Sequence, residues 1–206
     1  MKRFFITGIG TNVGKTFCSA ILTEALQADY WKPVQTGVIE SADVNEVSRL
    51  ITNQRTQFQR EAYSFTAPVS PHLAAAIENE EIELSKIELP NTANHLIIEG
   101  AGGILVPLNK THYVIDIAKK FDAEVILVVR NYLGCINHSL LSIDYLMKNN
   151  FKLKGLILNG NFDAMVEESI VNYANTPVLA KFYEMSKVNE QVVSDLARTV
   201  NKELFL

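Results

Sequence analysis

The chain has 206 residues, of which 48% are hydrophobic and 20% charged; this composition supports a sizeable core and excludes a disordered tail or linker. At roughly 100–200 residues per domain, the length predicts one large domain rather than two complete ones. Nineteen Lys and Arg against 23 Asp and Glu give a net charge of −4, so no basic field is available to hold a nucleic-acid backbone by counterion release.

Along the chain, short β-branched runs alternate with stretches of helical period. Strands are expected at residues 3–7, 30–34, 95–99, 124–129, 153–159 and 178–182. Helices are expected at 15–28, 44–52, 114–121, 136–149, 164–174 and 189–202. The runs LIIEG and VILVV are almost continuously apolar, as strands covered on both faces should be, which places them centrally. The predicted fold class is α/β, a mostly parallel central sheet with helices on both faces, and the run GIGTNVGKT between the first strand and the first helix makes it P-loop NTPase-like. Between Asn53 and Asn94 the alternation loosens around a Pro68–Pro71 turn and two short helical stretches, and this segment is expected to elaborate the sheet.

Glycines break the apolar start MKRFFITGIG too early for a signal peptide, and no window approaches the ~18 apolar residues needed to cross a bilayer. The two cysteines, Cys18 and Cys135, suit a reduced cytoplasmic compartment. Neither has metal-ligand spacing with His72, His95, His112 or His138, so thiol or metal chemistry at Cys135 and His138 is set aside.

The strongest motif runs from Gly8 through Gly10, Thr11, Asn12, Val13 and Gly14 to Lys15 and Thr16, after a strand and opening a helix. Glycines let backbone N–H groups turn around a phosphate, and the helix N-terminus adds partial positive charge. Lys15 can reach the terminal phosphates and Thr16 can ligate magnesium. Counted from Gly8, the loop is one residue longer than G-x-x-x-x-G-K-[ST].

A magnesium ion in such a cradle usually draws a carboxylate from a neighbouring strand end. Glu99, entering Gly100-Ala101-Gly102-Gly103, is the candidate, against the alternative of a turn-facing glutamate. Asp43 is either a second ligand or a helix N-cap. Lys32 ends the second strand and points into the ligand crevice or else into solvent. The loop 131–138 opens another helix at the same edge, a place suited to a carboxylate or phosphate. Asn159-Gly160 either reads a purine by paired donor and acceptor or serves the turn, and Phe182-Tyr183 packs on a base or in the core.

Together, TGIGTNVGKT, WKPVQTG, the SAD at 41–43, YSFTAPVSPH, LIIEGAGG and LGCINHSLL, in that order over most of the chain, resemble the dethiobiotin synthetase family. The resemblance implies an ATP-dependent cyclo-ligase of biotin biosynthesis that joins 7,8-diaminononanoate and CO2, giving dethiobiotin, ADP and phosphate. It implies ATP contacts from Asn12, Val13, Gly14, Lys15, Thr16 and Phe17, from Asp43, from Glu99, Gly100, Ala101 and Gly102, and from Asn159 and Gly160 at the base. Magnesium would lie among Thr16, Asp43 and Glu99, with Lys32, Lys15 and Thr11 as catalytic groups. Thr11 and Thr36 would face the diamine, and Gly134, Cys135, Ile136 and Asn137 its tail carboxylate, across a homodimer interface.

The chain departs from the family pattern at Asn12, which stands where some members carry an acid, in a shorter stretch at 38–42, and in lacking a proline within 181–185. The rival of another class is a partition- or septum-positioning switch ATPase; such proteins carry a signature lysine early in the loop, and Gly10-Thr11-Asn12 has none. A related ligase of corrinoid biosynthesis would need a glutaminase domain for which 206 residues leave no room.

Overall fold

Strands as apolar as LIIEG and VILVV are satisfied only when both faces are covered, and the computed structural model, which describes residues 1–37 and 42–205, covers them. In chain order the strands are β1 (Arg3–Gly8), β2 (Asp29–Trp31), β3 (Val34–Thr36), β4 (Phe58–Gln59), β5 (Tyr63–Phe65), β6 (Leu96–Gly103), β7 (Glu124–Arg130), β8 (Leu153–Asn159) and β9 (Val178–Phe182). The helices are α1 (Lys15–Leu26), α2 (Asp43–Leu50), α3 (Pro71–Ile77), α4 (Asp116–Lys120), α5 (Cys135–Lys148), α6 (Ala164–Ala174) and α7 (Glu190–Thr199).

The main sheet has seven strands in the order β4-β2-β6-β1-β7-β8-β9, and its pairings are parallel. From β1 the chain crosses over β6 to reach β2, whereas from β6 it crosses over β1 to reach β7 and then continues to β8 and β9. Because such crossovers are right-handed, the two directions put α1 on one face and α4, α5 and α6 on the other. α2 and α7 pack against α1, and α5 packs against α6. The direction reverses at β1 and β6, and the crevice beyond the carboxyl ends of those strands is where an open parallel sheet binds ligands. Phe5, Ile6, Ile97, Ile98, Ile126 and Leu127 are fully buried in the central strands.

The structure departs from the sequence expectations where local chemistry intervenes. The strand expected at 30–34 is divided at Pro33, which has no N–H for a ladder. Its carbonyl instead accepts from the Ala62 and Tyr63 amides at 2.8 and 3.0 Å. The chain thereby leaves the main sheet, and β3 pairs with β5 in a separate two-stranded parallel sheet. β4 and β5 were not expected; at two and three residues they are too short to show a period. The Gly100–Gly103 stretch, beyond the strand expected at 95–99, continues β6, with Gly103 opposite Gly8 after a register shift. The helix expected at 114–121 begins at Asp116, because the Val114 and Ile115 amides bond to the Val106 and Ile104 carbonyls. The last helix stops at Thr199, and a 3-10 turn at Lys202–Phe205 sets Phe205 edge-on to Phe4, with ring centroids 5.5 Å apart. Among the described residues no helix is long and apolar enough to cross a membrane.

Ile126 stands in the middle of β7 between Ile6 and Gly155. Ile126→Ala is expected to lower unfolding free energy by about 2–5 kcal/mol, measured by urea denaturation.

Candidate active site

β1 ends at Gly8 and α1 begins at Lys15, so the glycine-rich loop spans the crevice at the reversal point. Gly14 caps α1 at φ +91°, and a Cβ there would stand 2.1 Å from Asn159 Nδ2. Only glycine meets both demands. The same Asn159 nitrogen donates to the Val13 carbonyl at 2.8 Å, tying the end of β8 to the loop. The first amides of α1 have no intrahelical acceptor, and Gly14 offers no side-chain cap; an anion fits that end. Lys15 is buried and its Nζ donates to the Gly10 carbonyl at 3.2 Å. Burial, helped by the charge of Lys32, holds its pKa below the ordinary lysine value against the pull of Glu99 and Asp43.

The register brings the acidic partners to this loop. Trp31 lies opposite Ile98 and Ile6 opposite Glu99, so Lys32, one residue beyond Trp31, arrives level with Glu99. Lys32 Nζ bridges Glu99 Oε1 at 3.2 Å and Asp43 Oδ2, and the Lys32 and Glu99 side chains are 7% and 1% exposed. Thr16 Oγ1 lies 2.5 Å from Asp43 Oδ1 and 2.9 Å from Glu99 Oε1. Burial alone would lower the Lys32 pKa, but Glu99 and Asp43 together raise it, so this lysine stays charged at neutral pH. Burial likewise works against ionised Asp43, yet Lys32 and Thr16 hold its pKa below the usual carboxylate value.

The open alternatives for these residues close here. Asp43 is the first residue of α2 and Ala42 occupies the cap, so Asp43 is not an N-cap. Lys32 does not face solvent. Phe182 is core, edge-on to Phe17 at 5.9 Å, and Tyr183 is 65% exposed.

A cavity of about 720 Å³ joins Thr11, Lys15, Thr16, Lys32, Asp43 and Glu99. Asn12, Gly14, Thr36, Ala101 and Gly102 also reach its wall. Val13 is buried beneath the loop, and Gly100 packs against Phe5 and Val114. Gly160 donates its amide to the Phe182 carbonyl at 2.7 Å. Gly134, Cys135, Ile136 and Asn137 form the start of α5 and do not line this cavity. A shallower apolar hollow of about 370 Å³ connects Thr11 and Val106 with His138 and Leu141 further along α5. Cys135 Sγ contacts Asn131 Oδ1 at 3.7 Å, while the His138 ring bonds Tyr132 Oη at 2.7 Å, so the two residues have separate partners.

Three residues at the site escaped sequence reasoning. Tyr30 donates its hydroxyl to Glu99 Oε2 at 2.9 Å, and the Asp43 amide donates to Gln35 Oε1 at 3.2 Å. Arg130 lines the cavity and donates to the Asn12 carbonyl at 3.1 Å. Alternation was the available signal for Tyr30, which shares a strand face with Lys32.

The oxygen set of Thr16, Asp43 and Glu99, two carboxylates gathered on one hydroxyl, has the hardness and charge that suit magnesium. Two cationic side chains and a free helix N-terminus in the same cavity suit a polyphosphate.

Residues 2–192 match a family described as AAA domain. An ATP-dependent dethiobiotin synthetase of Cytophaga hutchinsonii is 48% identical over 198 residues, covering 96% of each chain. One from Christiangramia forsetii is 42% identical, covering 98% of each. Among solved structures, the septum site-determining protein MinD of Pyrococcus horikoshii, complexed with Mg-ADP, aligns over 98% of this chain and 96% of its own with a TM-score of 0.62 at 16% identity. That likeness is one of fold.

Gly14→Ala adds backbone strain and a clash at the loop, so ATP-analogue affinity is expected to fall at least about tenfold. Fluorescence titration measures the loss, with circular dichroism showing the sheet retained.

Proposed function

The chain belongs to the dethiobiotin synthetase family, and we propose that it converts 7,8-diaminononanoate, CO2 and ATP to dethiobiotin, ADP and phosphate in biotin biosynthesis. The observation that carries this reading is the meeting of Lys15, Thr16, Lys32, Asp43 and Glu99 in one cavity at the mouth of the phosphate loop. Near-full-length relatives of that name support it.

In this reading one amine of the substrate adds to CO2, loses a proton and becomes a carbamate. A carbamate oxygen attacks the γ-phosphorus, the bond to ADP breaks, and a carbamic-phosphoric anhydride forms. The second amine then attacks the carbonyl carbon, gives up a proton to the departing phosphate, and the ureido ring closes. None of these steps calls for a protein nucleophile; the chain's task is to position reactants and stabilise charge.

The loop amides, through Phe17, and Lys15 bind the phosphates. Lys32, kept protonated by its two carboxylates, stabilises negative charge on the carbamate and on the migrating phosphoryl group. Thr16, Asp43 and Glu99 would hold magnesium, which would supply charge neutralisation on the phosphates. Thr11 and Thr36, which both line the cavity, face the diamine. Asn159 and Gly160, with their strand end fixed against the loop, read adenine, while Gly100, Ala101 and Gly102 give the nucleotide room.

The substrate's tail carboxylate goes to Gly134, Cys135, Ile136 and Asn137 of a second copy in a homodimer. The uncapped start of α5 suits a carboxylate, and Leu133 just before it and Leu141 further along the helix are exposed. We take residues 1–206 as one cytoplasmic domain with small-molecule substrates and no nucleic-acid or membrane partner. The switch-ATPase alternative draws only on the shared fold.

Mass spectrometry of purified protein with the diamine, bicarbonate and Mg-ATP is expected to show the ureido product; ADP accumulating without it would favour the switch reading. Lys32→Gln is expected to lower kcat by about 100-fold or more while ATP-analogue affinity changes far less. Steady-state kinetics beside equilibrium titration separates the two effects, and equal losses would make Lys32 a nucleotide-binding residue only.

A further inference from the structure

Each carboxylate of the site has a further support besides Thr16 and Lys32. Glu99 Oε1 takes Thr16 and Lys32, whereas Oε2 receives the Tyr30 hydroxyl at 2.9 Å. Tyr30 is fully buried, with its ring beside Phe58 at 6.1 Å. Asp43 starts a helix whose cap residue, Ala42, has no side-chain acceptor. Gln35 supplies that acceptor from β3: its Oε1 receives the Asp43 amide at 3.2 Å while its Nε2 donates to the Thr36 carbonyl at 2.8 Å. The two bonds together fix which way the amide points, and Gln35 is itself buried.

We propose that Tyr30 and Gln35 are positioning residues that set the magnesium affinity of the nucleotide site, Tyr30 by fixing the Glu99 carboxylate and Gln35 by fixing the start of α2 that carries Asp43. Neither takes part in bond making. Without the phenol, Glu99 keeps a buried oxygen with no donor from that side, and its plane turns more freely about Cγ–Cδ. Without Gln35, the first turn of α2 loses its acceptor and Asp43 no longer has a fixed approach to Thr16. Partners of this outer kind typically alter metal affinity about 10- to 100-fold. The inference rests on the Mg-nucleotide reading of the site.

The test is binding of fluorescent ADP across a magnesium titration, with wild type, Tyr30→Phe, Gln35→Met and Gln35→Glu. Half-saturating magnesium is expected to rise about tenfold or more in Tyr30→Phe and in Gln35→Met. Nucleotide affinity in EDTA is expected to match wild type. Gln35→Glu, which keeps an acceptor for the Asp43 amide, is expected to recover magnesium response relative to Gln35→Met. Magnesium-insensitive nucleotide binding by wild type would sink the parent reading. A magnesium-dependent wild type with both variants titrating at its concentrations, even if they melt earlier, would overturn the positioning role alone. Should Tyr30→Phe fail to fold, the Gln35 pair decides.

Discussion

An ammonium group withdrawn from water between two carboxylates organises this molecule's crevice. Lys32, Asp43 and Glu99 come from the end of β2, the start of α2 and the middle of β6, and none could be left alone where it stands. A buried charge without a partner costs several kcal/mol, and a pair is tolerated only when its remaining polar atoms are satisfied. Thr16, Tyr30 and Gln35 provide that satisfaction. With Lys15 nearby, two cations and two anions balance before any ligand arrives. A polyphosphate and a divalent cation can therefore enter a site whose own charges already cancel, finding side chains already held in place, which is the condition for electrostatic stabilisation without reorganisation.

Sheet geometry delivers these groups. Parallel strands bring all their carboxyl ends to one edge, and the reversal of chain direction at β1 and β6 opens that edge. The one-to-one register of β2, β6 and β1 then decides which residues meet: a slip of one residue would turn Glu99 to the opposite face. The central apolar strands maintain that register, so the hydrophobic core fixes the spacing of the charges.

Most of this was legible in the sequence because the signals are local. Continuous apolar runs announced buried parallel strands, and glycines before Lys15 and Thr16 announced a phosphate cradle. Glu99, Asp43 and Lys32 were also legible as candidates, although nothing in their spacing showed that they touch. What escaped depended on distant partners. Pro33 ends β2 only because Ala62 and Tyr63 reach its carbonyl, and β4 and β5 are strands only because neighbours pair with them. Neither Tyr30 nor Gln35 was singled out in the sequence. Their roles exist only when β6 and α2 stand beside them.

The direct bond from Gln35 to the backbone of Asp43 has a consequence for how such chains diverge. It fastens the end of β3 to the beginning of α2 across positions 38–41, so the separation those positions must close is set from outside them. Lengthening a connection between fixed ends raises its closure entropy only logarithmically, by about 0.6 kcal/mol per doubling. The Gln35–Asp43 bond can therefore keep the geometry on either side while the number of residues between Gly37 and Ala42 differs from one relative to another.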